Sequence, residues 1–140
     1  MAYAMRHENG LITIQFSGTL TNTDLSRGAQ EIAAIEARCD LVPHRISDVR
    51  PVERLEIDFR SVLSFAEDRK RRQFPNAFKS AIVASDIVHF GFARMFQTLN
   101  DNAQITIAIF GDDASALEWL YAPGLEPPET HWQPGLPPRA

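Results

Sequence analysis

The stretch SAIVASDIVHFGFARMFQTL, residues 80–99, decides the fold that this sequence predicts. Its first part is a short apolar run, which is typical of a strand buried on both faces. Its second part is apolar on most sides and predicts a helix over residues 86–100. The pattern indicates a β-α unit with four polar residues at its junction and on its helix: Ser85, Asp86, His89 and Arg94.

The same alternation of strand and helix extends toward the N-terminus. Residues 3–18 predict a hairpin that turns at Asn9 and Gly10, because both residue types tolerate a positive φ. The residues of its second strand expected to face the core are Ile12, Ile14 and Phe16. A helical period follows, with Thr23 as the expected N-cap. The apolar stripe of this helix consists of Leu25, Ala29, Ile32, Ile35 and Cys39.

The middle of the chain contains a short predicted strand that ends near Asp48, followed by an ambiguous segment at residues 51–75. RLEIDF, residues 54–59, alternates as a strand does, whereas the apolar residues from Phe59 to Ala66 fit a helix. We favour the helix, with Asp58 near its N-terminus. The cations of its last turns, residues 69–72, are expected to be solvated at the helix end.

The remaining elements complete the predicted fold. Residues 104–111 indicate a strand with Ile105, Ile107 and Ile109 on one face, and residues 112–121 indicate a short last helix. The apolar residues expected to pack from this helix are Leu117, Leu120 and Tyr121. The order ββαβαβαβα predicts a single α/β domain over residues 1–122, with a mixed sheet of about five strands and four helices. The Pro-rich segment at 123–140 is expected to be an extended tail anchored by Trp132.

Composition limits the classes of function. The net charge is −4, which argues against a nucleic-acid binder. Cys39 is the only cysteine, so neither an internal disulfide nor a cysteine-based zinc site is expected. The sequence shows no apolar run of ~20 residues and no signal-peptide pattern at its start. We therefore expect a cytoplasmic protein without membrane insertion, metal or cofactor.

Three stretches carry a family resemblance: SDVR at 47–50, AIVASDIVHFGFARMF at 81–96 and IAIFGDDASALEWL at 107–120. Over residues 5–122 the chain resembles the SpoIIAA-like family of small bacterial proteins, which share the STAS fold. The matching core positions are Gly91, Ala93, Arg94, Met95, Ala116, Trp119 and Leu120.

The resemblance also bears on regulation and ligands. Members that are regulated by phosphorylation carry a serine in a slot that falls here near Ile57 and Asp58, with Ser61 as the nearest hydroxyl. Because Asp58 offers only a fixed carboxylate, a phosphorylation switch is not expected. Some similar proteins are thought to bind lipids or other small apolar ligands.

The best place for a site is the carboxyl edge of the parallel strands. The polar residues expected there are Asp48, Arg50, Asp58, Ser85, Asp86, Asp112 and Asp113. Ser85 is interpreted as an N-cap, and Asp86 as a first-turn acid that complements the helix dipole. His89 follows Asp86 by three residues, so the two form either an acid–base pair or a surface pair.

Arg94 stands among aromatic residues and is expected to be buried against the carboxylate of Asp48 or Asp86. Its role is either to fix the helix to a strand end or to recognise an anion. The helix also carries more apolar surface than one sheet covers. Phe90 is a candidate ligand contact, and Phe92, Phe96 and Trp132 are candidates for an interface between subunits.

Two hypotheses for the function follow. The first is a non-enzymatic STAS-like regulatory domain that acts through protein contacts, as a homodimer. The alternative is a carrier of a small apolar or amphipathic ligand such as a lipid, with Arg94 holding its acidic head group. An enzyme is the least supported class, because the sequence shows no nucleophile–base pair, metal cluster or glycine-rich phosphate loop.

Overall fold

A computed structural model describes residues 3–100 and 102–128 of the chain. In this part the chain forms seven strands and four helices. In chain order they are β1 Tyr3–Glu8, β2 Leu11–Phe16, β3 Gly18–Thr21, α1 Asn22–Arg38, β4 His44–Asp48, β5 Val52–Glu56, α2 Phe59–Arg71, β6 Phe78–Val83, α3 Ile87–Leu99, β7 Ile105–Phe110 and α4 Asp113–Tyr121.

Five strands form one mixed sheet in the order β1-β2-β4-β6-β7. β1 pairs antiparallel with β2, and the other three pairings are parallel. Residues from α1, α2 and α3 pack with Ile12 and Ile14 on one face, and α4 packs on the other face. The predicted mixed sheet of about five strands with four helices is confirmed.

The opening hairpin forms for the reason that its turn residues indicate. Asn9 has φ 56° and Gly10 has φ 71°, the left-handed values that a two-residue hairpin turn requires. The side chains predicted to face the core, Ile12, Ile14 and Phe16, are all buried.

Two short strands were not predicted from the sequence. β3 and β5 pair in parallel and form a separate two-stranded sheet. The ambiguous segment therefore satisfies both of its patterns in succession, as strand β5 and then as helix α2. Asp58 caps α2 by accepting a hydrogen bond from the Ser61 backbone N–H at 2.8 Å.

The predicted caps of two other helices are wrong by one or two residues. α1 is capped by Thr21 rather than Thr23, because the Thr21 hydroxyl accepts from the Asp24 backbone N–H and the Asp24 carboxylate accepts from the Thr21 backbone N–H, which completes a capping box. α3 is capped by Asp86 rather than Ser85, since the Asp86 carboxylate accepts from the His89 N–H at 2.8 Å.

The C-terminal part of the described chain departs from its prediction at one side chain. Tyr121 was expected to pack but is 67% exposed, because it is the last residue of α4. Residues 123–128 contain neither helix nor strand. Glu126 lies on the domain, where its carbonyl accepts a hydrogen bond from the Trp119 indole N–H at 2.9 Å. Trp132 lies outside the described residues.

None of the four helices in the described ranges is long and apolar enough to cross a membrane.

Candidate functional site

Three of the predicted site residues meet at the carboxyl end of β4. The Arg50 guanidinium donates to both oxygens of Asp48, through Nε at 2.9 Å and Nη2 at 3.0 Å. The same Nη2 donates to Asp113 at the start of α4, at 2.7 Å. Arg50 therefore links the end of a central strand to the helix on the outer face of the sheet.

The electrostatics of this cluster favour its charged form. Burial raises the pKa of the Asp48 carboxyl, but the hydrogen bonds and the charge of Arg50 outweigh burial and hold that pKa below its usual value of 3.8. The hydrogen bond to Asp48 raises the pKa of Arg50, and the bond to Asp113 adds to that effect. Because each charge has a close partner, the cluster holds the end of β4 and the start of α4 together.

The structure brings the side chains of His89 and Asp86 together at the start of α3, as their spacing predicts. The His89 ring is buried, and its Nε2 donates to the Val52 carbonyl at 2.8 Å. Its Nδ1 lies 3.3 Å from an Asp86 carboxylate oxygen. The ring thus joins the first turn of α3 to the start of β5. Ser85 is exposed beside this pair.

Asp58 does not join the other predicted residues. Its carboxylate accepts from the Ser61 N–H and, at 3.3 Å, from the Asn22 side-chain amide. These contacts, led by the Ser61 hydrogen bond, lower the pKa of Asp58. Asp58 therefore connects the N-termini of α1 and α2, and its carboxylate already occupies the cap position of α2.

The expectation that Arg94 is buried against a carboxylate is wrong. Arg94 is exposed, and its Nη1 donates to Gln97 on the same helix at 2.7 Å. Phe96 is also not available for an interface, because it is buried and stacks on Phe65 with 5.0 Å between the ring centroids. Phe90 and Phe92 are half-buried. Because α3 is apolar on most sides, its sequence did not indicate which side of the helix faces the sheet.

A cavity of about 60 Å³ lies between the sheet and helices α1 to α3. Its walls are mostly apolar and include Leu25, Phe65, Phe92 and Phe96. The polar residues of its lining come from the central strands and are Arg45, Ser47 and Ser80. Of the predicted site and interface residues, Phe92 and Phe96 line this cavity.

Beside this cavity lies a buried charge cluster that the sequence analysis missed. Arg69 donates to both oxygens of Glu36, each at 2.7 Å. Arg45 Nη1 lies 4.0 Å from a Glu36 oxygen. Arg45, Glu36 and Arg69 are only 3%, 7% and 2% exposed. The prediction of solvated cations at the end of α2 is therefore wrong for Arg69.

The signal for this cluster was present in the helical periods. Glu36 follows Ile32 by four residues, and Arg69 follows Ala66 by three, so both stand on core-facing stripes. Opposite charges on the buried stripes of two helices indicate a buried ion pair. In residues 3–100 and 102–128, no group of three or more metal-ligating side chains could hold a metal ion.

Comparison with known proteins bears on the fold. No family profile and no curated protein matches the sequence. The chain is similar to the crystal structure of an uncharacterized protein of the DUF3478 family, with a SpoIIAA-like fold, from Shewanella loihica PV-4. The two share 14% sequence identity with a TM-score of 0.57, over 85% of this chain and 92% of that chain. Together with the mixed sheet and its four helices, this likeness shows that the chain has a SpoIIAA-like fold.

Proposed function

We propose that this protein is a non-enzymatic domain that binds a small, mainly apolar molecule in the cavity beneath α1, α2 and α3. The cavity itself is the observation that carries the proposal, because close-packed interiors leave few voids larger than a water molecule. Its volume of about 60 Å³ exceeds the roughly 10–15 Å³ that one water molecule needs and lies far below the roughly 300–1,000 Å³ of a pocket for a drug-sized ligand. It therefore suits one end of a ligand better than a whole drug-sized molecule.

Access to the cavity supports the same function. Leu25, Ala29 and Phe65 line both the cavity and an outer cleft of about 920 Å³ between α1 and α2. A ligand that enters between these side chains has room to place its remainder in the outer cleft. The proposed domain does not depend on a phosphorylation switch, since the Asp58 carboxylate caps α2 near the slot in which regulated members carry a serine.

Co-purification tests this function. We expect protein purified under native conditions to release a recurrent small molecule into an organic extract, detected by mass spectrometry. Ala29→Phe should remove it, because the larger side chain fills the passage between cavity and cleft. Ala34→Phe is the matched control, since Ala34 is exposed on the same helix and lines neither the cavity nor the cleft. Equal ligand content in the two variants, or a clean extract from folded wild-type protein, would contradict the proposal.

A second candidate function is contact with another protein, and an exposed apolar pair favours it. Ile87 is 73% exposed and Val88 is 61% exposed, in the first turn of α3. Together the two side chains form a small apolar patch on the surface, which contact with a partner would cover. We propose a second copy of this chain as the partner, which keeps the homodimer of the sequence-based hypothesis but moves the contact from Phe92, Phe96 and Trp132 to the start of α3.

A further inference from the structure

The buried charges beside the cavity do not balance. Arg69 engages both oxygens of Glu36 in a bidentate pair, which satisfies that carboxylate. Arg45 is the second cation of the cluster, and its Nη1 finds no hydrogen-bond partner within residues 3–100 and 102–128. Two guanidinium groups against one carboxylate leave one positive charge without a counter-charge of its own.

Arg45 is held at the cavity by the register of the sheet. It stands on central strand β4, opposite Ile12 of β2 and Ser80 of β6. Paired residues of parallel strands share a face, so Arg45 lies on the face that α1, α2 and α3 cover. Arg45 is therefore covered by these helices, and it is one of the residues that line an otherwise mostly apolar space.

An arrangement of this kind is costly in the absence of an anion. Burying an ion that lacks a partner costs several kcal/mol in proteins. Burial, followed by the charge of Arg69, lowers the pKa of Arg45 to about 9 against the opposing effect of Glu36. At neutral pH the guanidinium still carries its charge. A neutral guest or a water molecule would leave that charge unpaired.

We infer that the cavity binds a small organic monoanion, a carboxylate with an apolar body, whose carboxylate pairs with the Arg45 guanidinium. This inference rests on the proposed function and specifies its ligand. The planar fork of a guanidinium matches the two oxygens of a carboxylate. Ser47 and Ser80 add hydroxyl groups to the same lining. Because one positive charge in the cluster lacks a partner, we expect the ligand to carry one negative charge.

The size of the cavity places the two ends of this ligand. About 60 Å³ accommodates a carboxylate and the first carbon or two beside it. The apolar body would then pass between Leu25, Ala29 and Phe65 into the outer cleft. A short aliphatic acid such as butyrate is therefore the appropriate probe.

The test compares butyrate with 1-butanol, which has the same carbon chain and no charge, by calorimetry on the full chain. We expect butyrate to bind more tightly than butanol, and Arg45→Met to weaken butyrate ~10- to 100-fold, as loss of charge-assisted hydrogen bonds implies. Butanol affinity should change little. Arg94→Met is the control, because Arg94 is an exposed arginine outside the cavity.

A second measurement uses only the wild-type protein and so does not depend on the folding of a variant. The Arg45 Nε–Hε resonance should shift on addition of butyrate and not of butanol. If both probes bind equally and Arg45→Met changes neither affinity, the inference is overturned while the proposed function stands. If neither probe binds, and native protein also yields a clean extract, the proposed function is overturned as well.

Discussion

Glu36 is a single carboxylate between two buried guanidinium groups, and its charge matters more than its volume. Glu36→Gln keeps the shape of the side chain but leaves Arg45 and Arg69 as uncompensated buried cations. We expect a loss of about 3–5 kcal/mol in the free energy of unfolding, the usual cost of breaking a buried pair. Urea denaturation measures this loss.

The control for this prediction is Glu53→Gln, which neutralises an exposed carboxylate on β5. Its effect should stay within about 0.5 kcal/mol. Equal effects of the two substitutions would mean that the Glu36 charge is not what stabilises the cluster.

Arg50 makes the stability of the protein depend on acid pH through Asp48. Because the folded-state pKa of Asp48 lies below 3.8, its stabilising contribution is complete above that value and is lost as the pH falls through the folded pKa. Arg50→Gln removes the guanidinium hydrogen bonds and their charge, whereas the backbone N–H of residue 50 and the Gln15 amide still donate to the Asp48 carboxylate. The pKa of Asp48 should therefore rise in the variant, and its gain in stability between pH 3 and pH 6 should shrink.

The Asp48 carboxyl ¹³C shift and urea denaturation across this pH range measure both effects. At pH 7 we expect Arg50→Gln to lose about 1–3 kcal/mol, the scale of hydrogen bonds to charged groups. Arg54→Gln is the control, since Arg54 is an exposed arginine nearby in the chain. An unchanged pKa of Asp48 in Arg50→Gln would contradict this account of the cluster.

The Asp86 carboxylate caps the N-terminus of helix α3, and two substitutions test this assignment. Asp86→Ala should lower the free energy of unfolding by about 1 kcal/mol, because the His89 N–H loses its acceptor. The neighbouring change Ser85→Ala should cost less than about 0.5 kcal/mol, since Ser85 is exposed and does not cap the helix. Urea denaturation of both variants measures these losses. A larger loss for Ser85→Ala than for Asp86→Ala would mean that Ser85, and not Asp86, caps the helix.

The elements themselves were largely predictable, and the exceptions have physical reasons. The hairpin, α1, β4, β6, α3, β7 and α4 follow from local periods and turn residues. β3 and β5 escaped prediction because each has only four or five residues and each needs the other as its partner. The sequence did not predict which side of α3 faces the sheet, because Phe90, Phe92 and Phe96 give the helix apolar surface on several sides. No single apolar stripe therefore identified the exposed side on which Arg94 lies.

At the scale of the whole molecule, the exposed start of α3 predicts self-association. Ile87→Ser combined with Val88→Ser should convert the proposed dimer into a monomer, because the change removes the apolar surface of the contact. Sedimentation velocity measures the state. Tyr121→Ser is the control, as Tyr121 is similarly exposed on α4, which packs on the opposite face of the sheet. A wild-type monomer at micromolar concentration would exclude this surface as a dimer contact.

The candidate sites differ in whether the topology of the sheet by itself brings their residues together. The sequence placed Asp48, Arg50 and Asp113 at one edge of the sheet, because carboxyl ends of parallel strands share an edge. It did not show that Arg45, Glu36 and Arg69 meet in the core. These residues come from a strand and two helices, and strand order does not fix which side chains of two helices meet above the sheet.

The sequence alone determined the alternating order, the Asn9–Gly10 turn and the mixed sheet, since periods of two and 3.6 residues and the backbone freedom of turn residues act locally. Tertiary packing decided which charges are buried, which residue caps α3 and where a cavity remains. Those outcomes depend on how far apart and at what rotation the helices settle on the sheet, and side chains from distant segments set that spacing together.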